Sequence, residues 1–105
     1  MIETIEYKGK KYPFVYNYYV ISRLQGLTGN VNESEIFDYL VYHSIEAGCE
    51  EMDVPFTITK ADKELEFTVK DAAFLIGKVG VKAILDIKKL YDDEADGKKK
   101  VMEKK

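Results

Sequence analysis

Between residues 33 and 47, Ile36, Phe37, Leu40, Val41, Ser44 and Ile45 recur at the three- and four-residue spacing of one helix face. That stripe has to be covered by the rest of the chain, so it sets the architecture. Asn32-Glu33-Ser34-Glu35 resembles a capping box, with Glu35 three residues after the Asn32 cap, and Gly48 is the expected C-terminal stop. A helix over 33–47 is therefore the expected central element. In a chain of 105 residues with 46% hydrophobic and 33% charged side chains, there is apolar material for one small core around it.

The flanking segments supply the cover. Residues 2–16 alternate as a β-hairpin around Lys8-Gly9-Lys10-Lys11. Two registers compete. A Lys8-Gly9 turn would pair Glu6 with Lys11 but set Glu3 against Phe14, whereas a Gly9-Lys10 turn puts Gly first, as a type II′ turn prefers, and pairs Tyr7 with Tyr12 and Ile5 with Phe14 while setting Lys8 opposite Lys11. The two apolar pairs outweigh one lysine pair, so the Gly9-Lys10 turn is expected. Asn17 caps a short helix bearing Val20, Ile21, Leu24 and Leu27, which Gly26 and Thr28-Gly29-Asn30 close. Residues 56–69 alternate again and are expected to form a second hairpin, with Ile58 opposite Leu65 and Phe56 opposite Phe67. The competing reading is a short helix over 60–66, two turns that would be marginal alone. Thr68-Val69-Lys70-Asp71 opens another helix, a bend is expected at Val79-Gly80, and a last helix runs to about residue 91. The expectation is an α+β fold with one domain over 1–91, followed by a charged, disordered tail over 92–105.

Several functional classes lose support at this stage. No apolar run approaches the roughly 20 residues needed to span a bilayer. The start Met1-Ile2-Glu3-Thr4-Ile5-Glu6 lacks the features of a secretory signal, so the cytosol is the expected compartment. Residues 1–55 carry four Lys/Arg and nine Asp/Glu, residues 56–105 twelve and ten, and neither half has the broad basic face of a nucleic-acid binder. Cys49 is the single cysteine, so one chain holds no disulfide and no multi-thiolate metal site. His43 lies mid-helix next to Ser44, and adjacent helical residues point about 100° apart, which prevents a nucleophile–base pair. Cys49 is read as following a helix end, where no dipole activates the thiol. Glu50, Glu51 and Asp53 lack the alternating ligands and central Gly of a calcium loop, and Gly77 and Gly80 belong to no phosphate-binding motif. No enzyme activity, cofactor or metal is expected.

Tyrosine is the suggestive residue type: eight Tyr and five Phe accompany no Trp. Tyr18, Tyr19, Tyr39 and Tyr42 cannot all face inward with the apolar stripes of their helices, and surface tyrosine is a common interface anchor. These four are the candidate partner-binding residues.

The run from Phe14 to Gly29, with its aromatic-Asn entry Tyr16-Asn17, Leu24 and the Thr28-Gly29 close, resembles the opening of bacteriophage tail assembly chaperones, which often begin with a short hairpin on a "gkkY" stem. Tyr39-Leu40-Val41-Tyr42 through Glu46-Ala47-Gly48 resembles the family's second helix, Phe56-Thr57-Ile58-Thr59 its "pFTlt" step, and Ala72 through Gly80 to Tyr91 its closing helices. The similarity covers roughly residues 3–91 and rests on apolar and turn residues. Many members are more helical after the second helix, so a hairpin at 56–69 is a departure. The resemblance implies a non-enzymatic phage or prophage protein that binds the tape measure and tail tube proteins during assembly, with self-association as a further expectation. It also implies a frameshifted longer product, for which Gly97-Lys98-Lys99-Lys100 suits a slippery site. A structural tail-completion or head–tail joining subunit, and a small acidic regulatory or inhibitor protein, stay open beside it.

Overall fold

A computed structural model describes residues 2–27 and 29–103, with side chains as far as Asp92 apart from position 28. The fold is α+β. In chain order it comprises β1 (Glu3–Tyr7), β2 (Lys10–Phe14), α1 (Tyr18–Gln25), α2 (Glu33–Met52), β3 (Thr57–Lys60), β4 (Lys63–Glu66), α3 (Val69–Val79) and α4 (Val81–Glu103). The strands form two separate antiparallel hairpins, β1–β2 and β3–β4.

The capping signals act as expected. Asn17 Oδ1 accepts from the Val20 N–H at 3.3 Å, and Asn32 Oδ1 from the Glu35 N–H at 2.9 Å. Thr68 and Asp71 form a reciprocal capping box at the start of α3. Gly80, with φ of 100°, makes the bend between α3 and α4 that only glycine adopts without strain.

Two sequence expectations are corrected. The first is the register of the N-terminal hairpin, which turns at Lys8-Gly9 and pairs Tyr7 with Lys10, Ile5 with Tyr12 and Glu3 with Phe14. Lys8 and Gly9 have φ of 52° and 75°, a type I′ turn with the glycine second. This register and the expected one place the same residues on the same face, because they differ by two positions in pairing, so Ile5, Tyr7, Tyr12 and Phe14 are buried in either. Pro13 separates them. Opposite Thr4 it sits at a position that donates nothing to β1, whereas a Gly9-Lys10 turn would place it opposite Glu6, where a ladder bond would be lost. The observed register also sets Glu6 against Lys11 in place of a lysine pair.

The second correction concerns Gly48, which does not stop the central helix. Helix α2 continues to Met52 and ends on Asp53 in a left-handed conformation, φ 56°. Gly48 is needed inside the helix because β2 lies against it: a Cβ there would overlap the Pro13 carbonyl and stand 2.9 Å from the Pro13 Cβ. One residue pair later the Val15 N–H donates to the Ser44 carbonyl at 3.0 Å, bonding the outgoing chain directly to the helix. Cys49 is consequently inside the helix, 3% exposed, and burial pushes its thiol pKa up, against a smaller opposite effect of Lys10.

The second hairpin forms with Ile58 opposite Leu65, and the Phe67 N–H donates to the Phe56 carbonyl. An aromatic seam joins it to the rest: Phe67 lies 5.5 Å from Tyr12 and 5.1 Å from Phe56, and Tyr42 lies 5.1 Å from Phe56, between ring centroids. Asp71 adds a polar tie, since Lys60 Nζ of β3 reaches its Oδ1 at 2.6 Å. Helix α4 buries Ile84 and brings the Tyr91 hydroxyl to the open end of the first hairpin, where it accepts from the Glu3 N–H at 3.2 Å and donates to the Phe14 carbonyl at 2.6 Å. The backbone of α4 is helical to Glu103. The last helix is expected to end near residue 91, and its backbone instead continues through most of the expected tail at 92–105; of that tail only 104–105 lie outside the described residues.

Two outcomes follow from this packing. Gly48→Ala, which in an ordinary helix interior gains about 1 kcal/mol, is expected to destabilise the protein by about 1–3 kcal/mol through overpacking. An unchanged or raised urea midpoint would detach β2 from α2. For Asp71, burial alone would raise the carboxyl pKa, but hydrogen bonds from Lys60 and Thr68 together hold it below the usual range. Its stabilising contribution is therefore complete above the ordinary carboxylate range and is lost as pH falls through the lower value in the folded state. Unfolding measured from pH 5 downward should show this loss for the wild type and not for Asp71→Asn.

Candidate partner-binding surface

Asn17 fixes where α1 begins, and so where the two tyrosines of its first turn stand. Tyr18 is 79% exposed. Tyr19 turns toward α2, where its hydroxyl donates to Glu46 Oε1 at 2.8 Å and the Arg23 guanidinium lies 4.9 Å from its ring centroid. The same Glu46 oxygen is 2.8 Å from His43 Nδ1, one helical turn back. A carboxylate acceptor places the ring proton on Nδ1.

His43 is the hub of the remaining tyrosines. Tyr39 stacks on it at 6.1 Å with 22° between planes, and Tyr42 and Tyr19 meet it edge-on at 5.0 and 6.2 Å. The structure thus brings three of the four candidate tyrosines around one half-buried histidine and leaves Tyr18 apart. Tyr42 belongs as much to the core, through Phe56 and Phe67. Burial, and then the Glu46 hydrogen bond, raise the Tyr19 pKa against the opposing Arg23, while burial and the Glu46 and Glu66 charges raise that of Tyr42.

Beside this cluster Asn17, Tyr19, Glu46, Ala47, Glu50 and Glu51 line an open hollow of about 410 Å³. Glu50 and Glu51 are exposed in the last turn of α2, and among the described residues no group of three or more His, Cys, Asp or Glu is arranged to hold a metal ion. No helix among them is long and apolar enough to cross a membrane.

One exposed aromatic was missed. Phe74, in the apolar run Ala72–Ile76, is 62% exposed, while Ala72 and Leu75 are fully buried. Its signal was in the spacing: Lys70, Gly77 and Lys78 lie four, three and four residues away and define the solvent face of α3.

No family model, curated protein or solved structure matches this chain.

Glu46 carries a direct test. Because tyrosines with raised pKa hold their protons more tightly in the fold, stability is retained below the ordinary tyrosine range and lost as pH climbs through the folded-state values. Glu46→Gln removes a charge that opposes ionisation of both Tyr19 and Tyr42. Ultraviolet titration should show the late-ionising tyrosines of the wild type moving to lower pH in this variant, and an unchanged curve would place Glu46 away from both hydroxyls.

Proposed function

We propose that the chain is a non-enzymatic assembly chaperone of the phage tail type, acting in the host cytosol by binding the tape measure and tail tube proteins. The observation that carries this reading is the position of Tyr18 and Tyr19. They stand on the surface within the segment from Phe14 to Gly29 that resembles the opening of that family. Binding of this kind needs no nucleotide or metal. It needs accessible aromatic and apolar side chains that cover surfaces of partners otherwise prone to aggregate. Tyr18 supplies a large, amphipathic contact with little rotamer freedom to lose, on a helix end held by the Asn17 cap.

Co-expression with a tape measure protein encoded next to this chain's own gene tests the proposal. The partner should stay soluble and co-purify, and Tyr18→Ser and Tyr19→Ser should each weaken the complex by about 1–2 kcal/mol while leaving the fold intact. A tape measure protein that aggregates equally with and without the chain, or the chain's presence as a stoichiometric component of finished tails, would overturn it.

A further inference from the structure

We propose that the far end of the β2–α2 join is a capture site for a polypeptide C-terminus ending in an apolar residue, held by the Lys11 backbone and the Lys10 ammonium. The site is built by this chain's own backbone and stands whether or not the chaperone reading does.

Strand β2 and helix α2 run antiparallel and in step. The Val15 N–H meets the Ser44 carbonyl, and two strand residues back the Pro13 carbonyl meets Gly48, four helical residues on. Two strand residues and four helical residues each advance about 6–7 Å, so the next step brings Lys11 level with Met52. There the helix ends, and Asp53 in its left-handed conformation turns the chain into Val54-Pro55. Lys11 stands opposite Glu6 in a pair of the same kind as Pro13 with Thr4, so its N–H and carbonyl both point away from β1. Among the described residues neither is bonded to α2 or to the loop after it. The join thus ends on one free donor and one free acceptor, spaced to pair with a single residue of an added strand.

Beside these groups lies a largely apolar hollow of about 410 Å³, bounded by Pro13 of β2, Cys49 and Met52 of α2 and the Val54-Pro55 loop. Both prolines of the chain line it, and their fixed φ keeps those walls formed before anything binds. Met52 and Val54 are about half exposed, apolar surface that an incoming side chain covers. At the rim Lys10 Nζ donates to the Thr57 carbonyl at 3.3 Å and stands 4.0 Å from Glu64 Oε1, an oxygen that also accepts from the Thr57 hydroxyl. An ammonium has three donors, so Lys10 keeps one for a further acceptor, and two lysines against one glutamate around the hollow favour an anion. A C-terminal residue answers all of these groups. Its N–H donates to the Lys11 carbonyl, its carboxylate accepts from the Lys11 N–H and from Lys10 Nζ, and its apolar side chain enters the hollow. A fatty acid has no N–H for the Lys11 carbonyl. A strand that continued past Lys11 would run into α2 beside Pro13, so a chain end fits where a through-running segment does not.

Amide-detected NMR titration of the full chain with an acetylated tetrapeptide ending in leucine as the free acid tests this. The backbone resonances of Lys11, Cys49 and Val54 should shift and saturate. The same peptide as its C-terminal amide, or ending in aspartate, should bind at least about tenfold more weakly, since one loses a charge-assisted bond and the other puts a charge in the hollow. Lys10→Met keeps the side-chain stem and should remove most of the preference for acid over amide, whereas Val54→Asp should weaken the binding of both. Circular dichroism melts verify the folds, and Met52→Asp replaces Val54→Asp if that variant melts early. No saturable shift at millimolar peptide, equal binding of acid and amide by the wild type, shifts centred on another part of the molecule, or octanoate binding as tightly as the peptide would each refute the capture site.

Discussion

The approach of β2 to α2 at Gly48 is the constraint on which the rest of the structure depends. A strand edge presents unpaired backbone groups, and a two-stranded hairpin has two such edges and little stability of its own. Here the outer edge of β2 lies directly on a helix. Pro13 removes one donor, its carbonyl takes the space a side chain at 48 would fill, and the Val15 N–H is bonded to the Ser44 carbonyl. Because the strand lies on the helix backbone, the hairpin's inner face of Ile5, Tyr7, Tyr12 and Phe14 is brought level with Leu40, Val41, Ile45 and Cys49 in one core. Helix α2 must be long enough to receive the strand, which is why it runs past Gly48 to Met52.

From that join the remaining elements are added by side chains. Phe67 is the common member of the aromatic seam, touching Tyr12 from the first hairpin, Phe56 from the entry to the second and Tyr42 from α2. Without it the β3–β4 hairpin would be held chiefly by Ile58 and by polar contacts such as Lys60 with Asp71. Asp71 therefore has two duties, capping α3 and drawing the hairpin's lysine onto the start of that helix. Tyr91 closes the molecule at the other end, its hydroxyl serving both a donor and an acceptor of the first hairpin.

How much of this was legible in sequence depended on whether a feature was local. Caps at Asn17, Asn32 and Thr68, the break at Gly80 and the pairing of Ile58 with Leu65 are decided within a few residues, and all could be read. The N-terminal register could have been: cross-strand apolar pairs favoured one alignment, but Pro13 vetoes it, and a missing ladder donor outweighs a modest gain in pair energy. The role of Gly48 could not be read locally, because the strand that needs its missing side chain lies 35 residues earlier in the chain. The same limit applies to the candidate surface. Sequence identified Tyr18, Tyr19, Tyr39 and Tyr42 as residues that could not all turn inward, while the convergence of three of them on His43 required α1 to be laid beside α2.

Two local rules stay broken in the finished fold, and both breaks are at the surface. Phe74 forgoes burial worth roughly 1.5–3 kcal/mol, although Ala72 and Leu75 beside it are fully enclosed. The end of α2 concentrates Glu50, Glu51 and Asp53 where each charge costs about 0.3–1 kcal/mol against the helix dipole. Neither gains a compensating partner within the described chain. A domain with a net stability of about 5–15 kcal/mol can carry such terms only if the core is otherwise well satisfied. Here it nearly is, with Ser44 Oγ the one buried side-chain polar atom left without a hydrogen-bond partner among the described residues. Local choices that conflict with the fold concentrate at functional sites. The unburied Phe74 on α3 and the acidic end of α2, which has no basic residue in its last turn, are two such conflicts here.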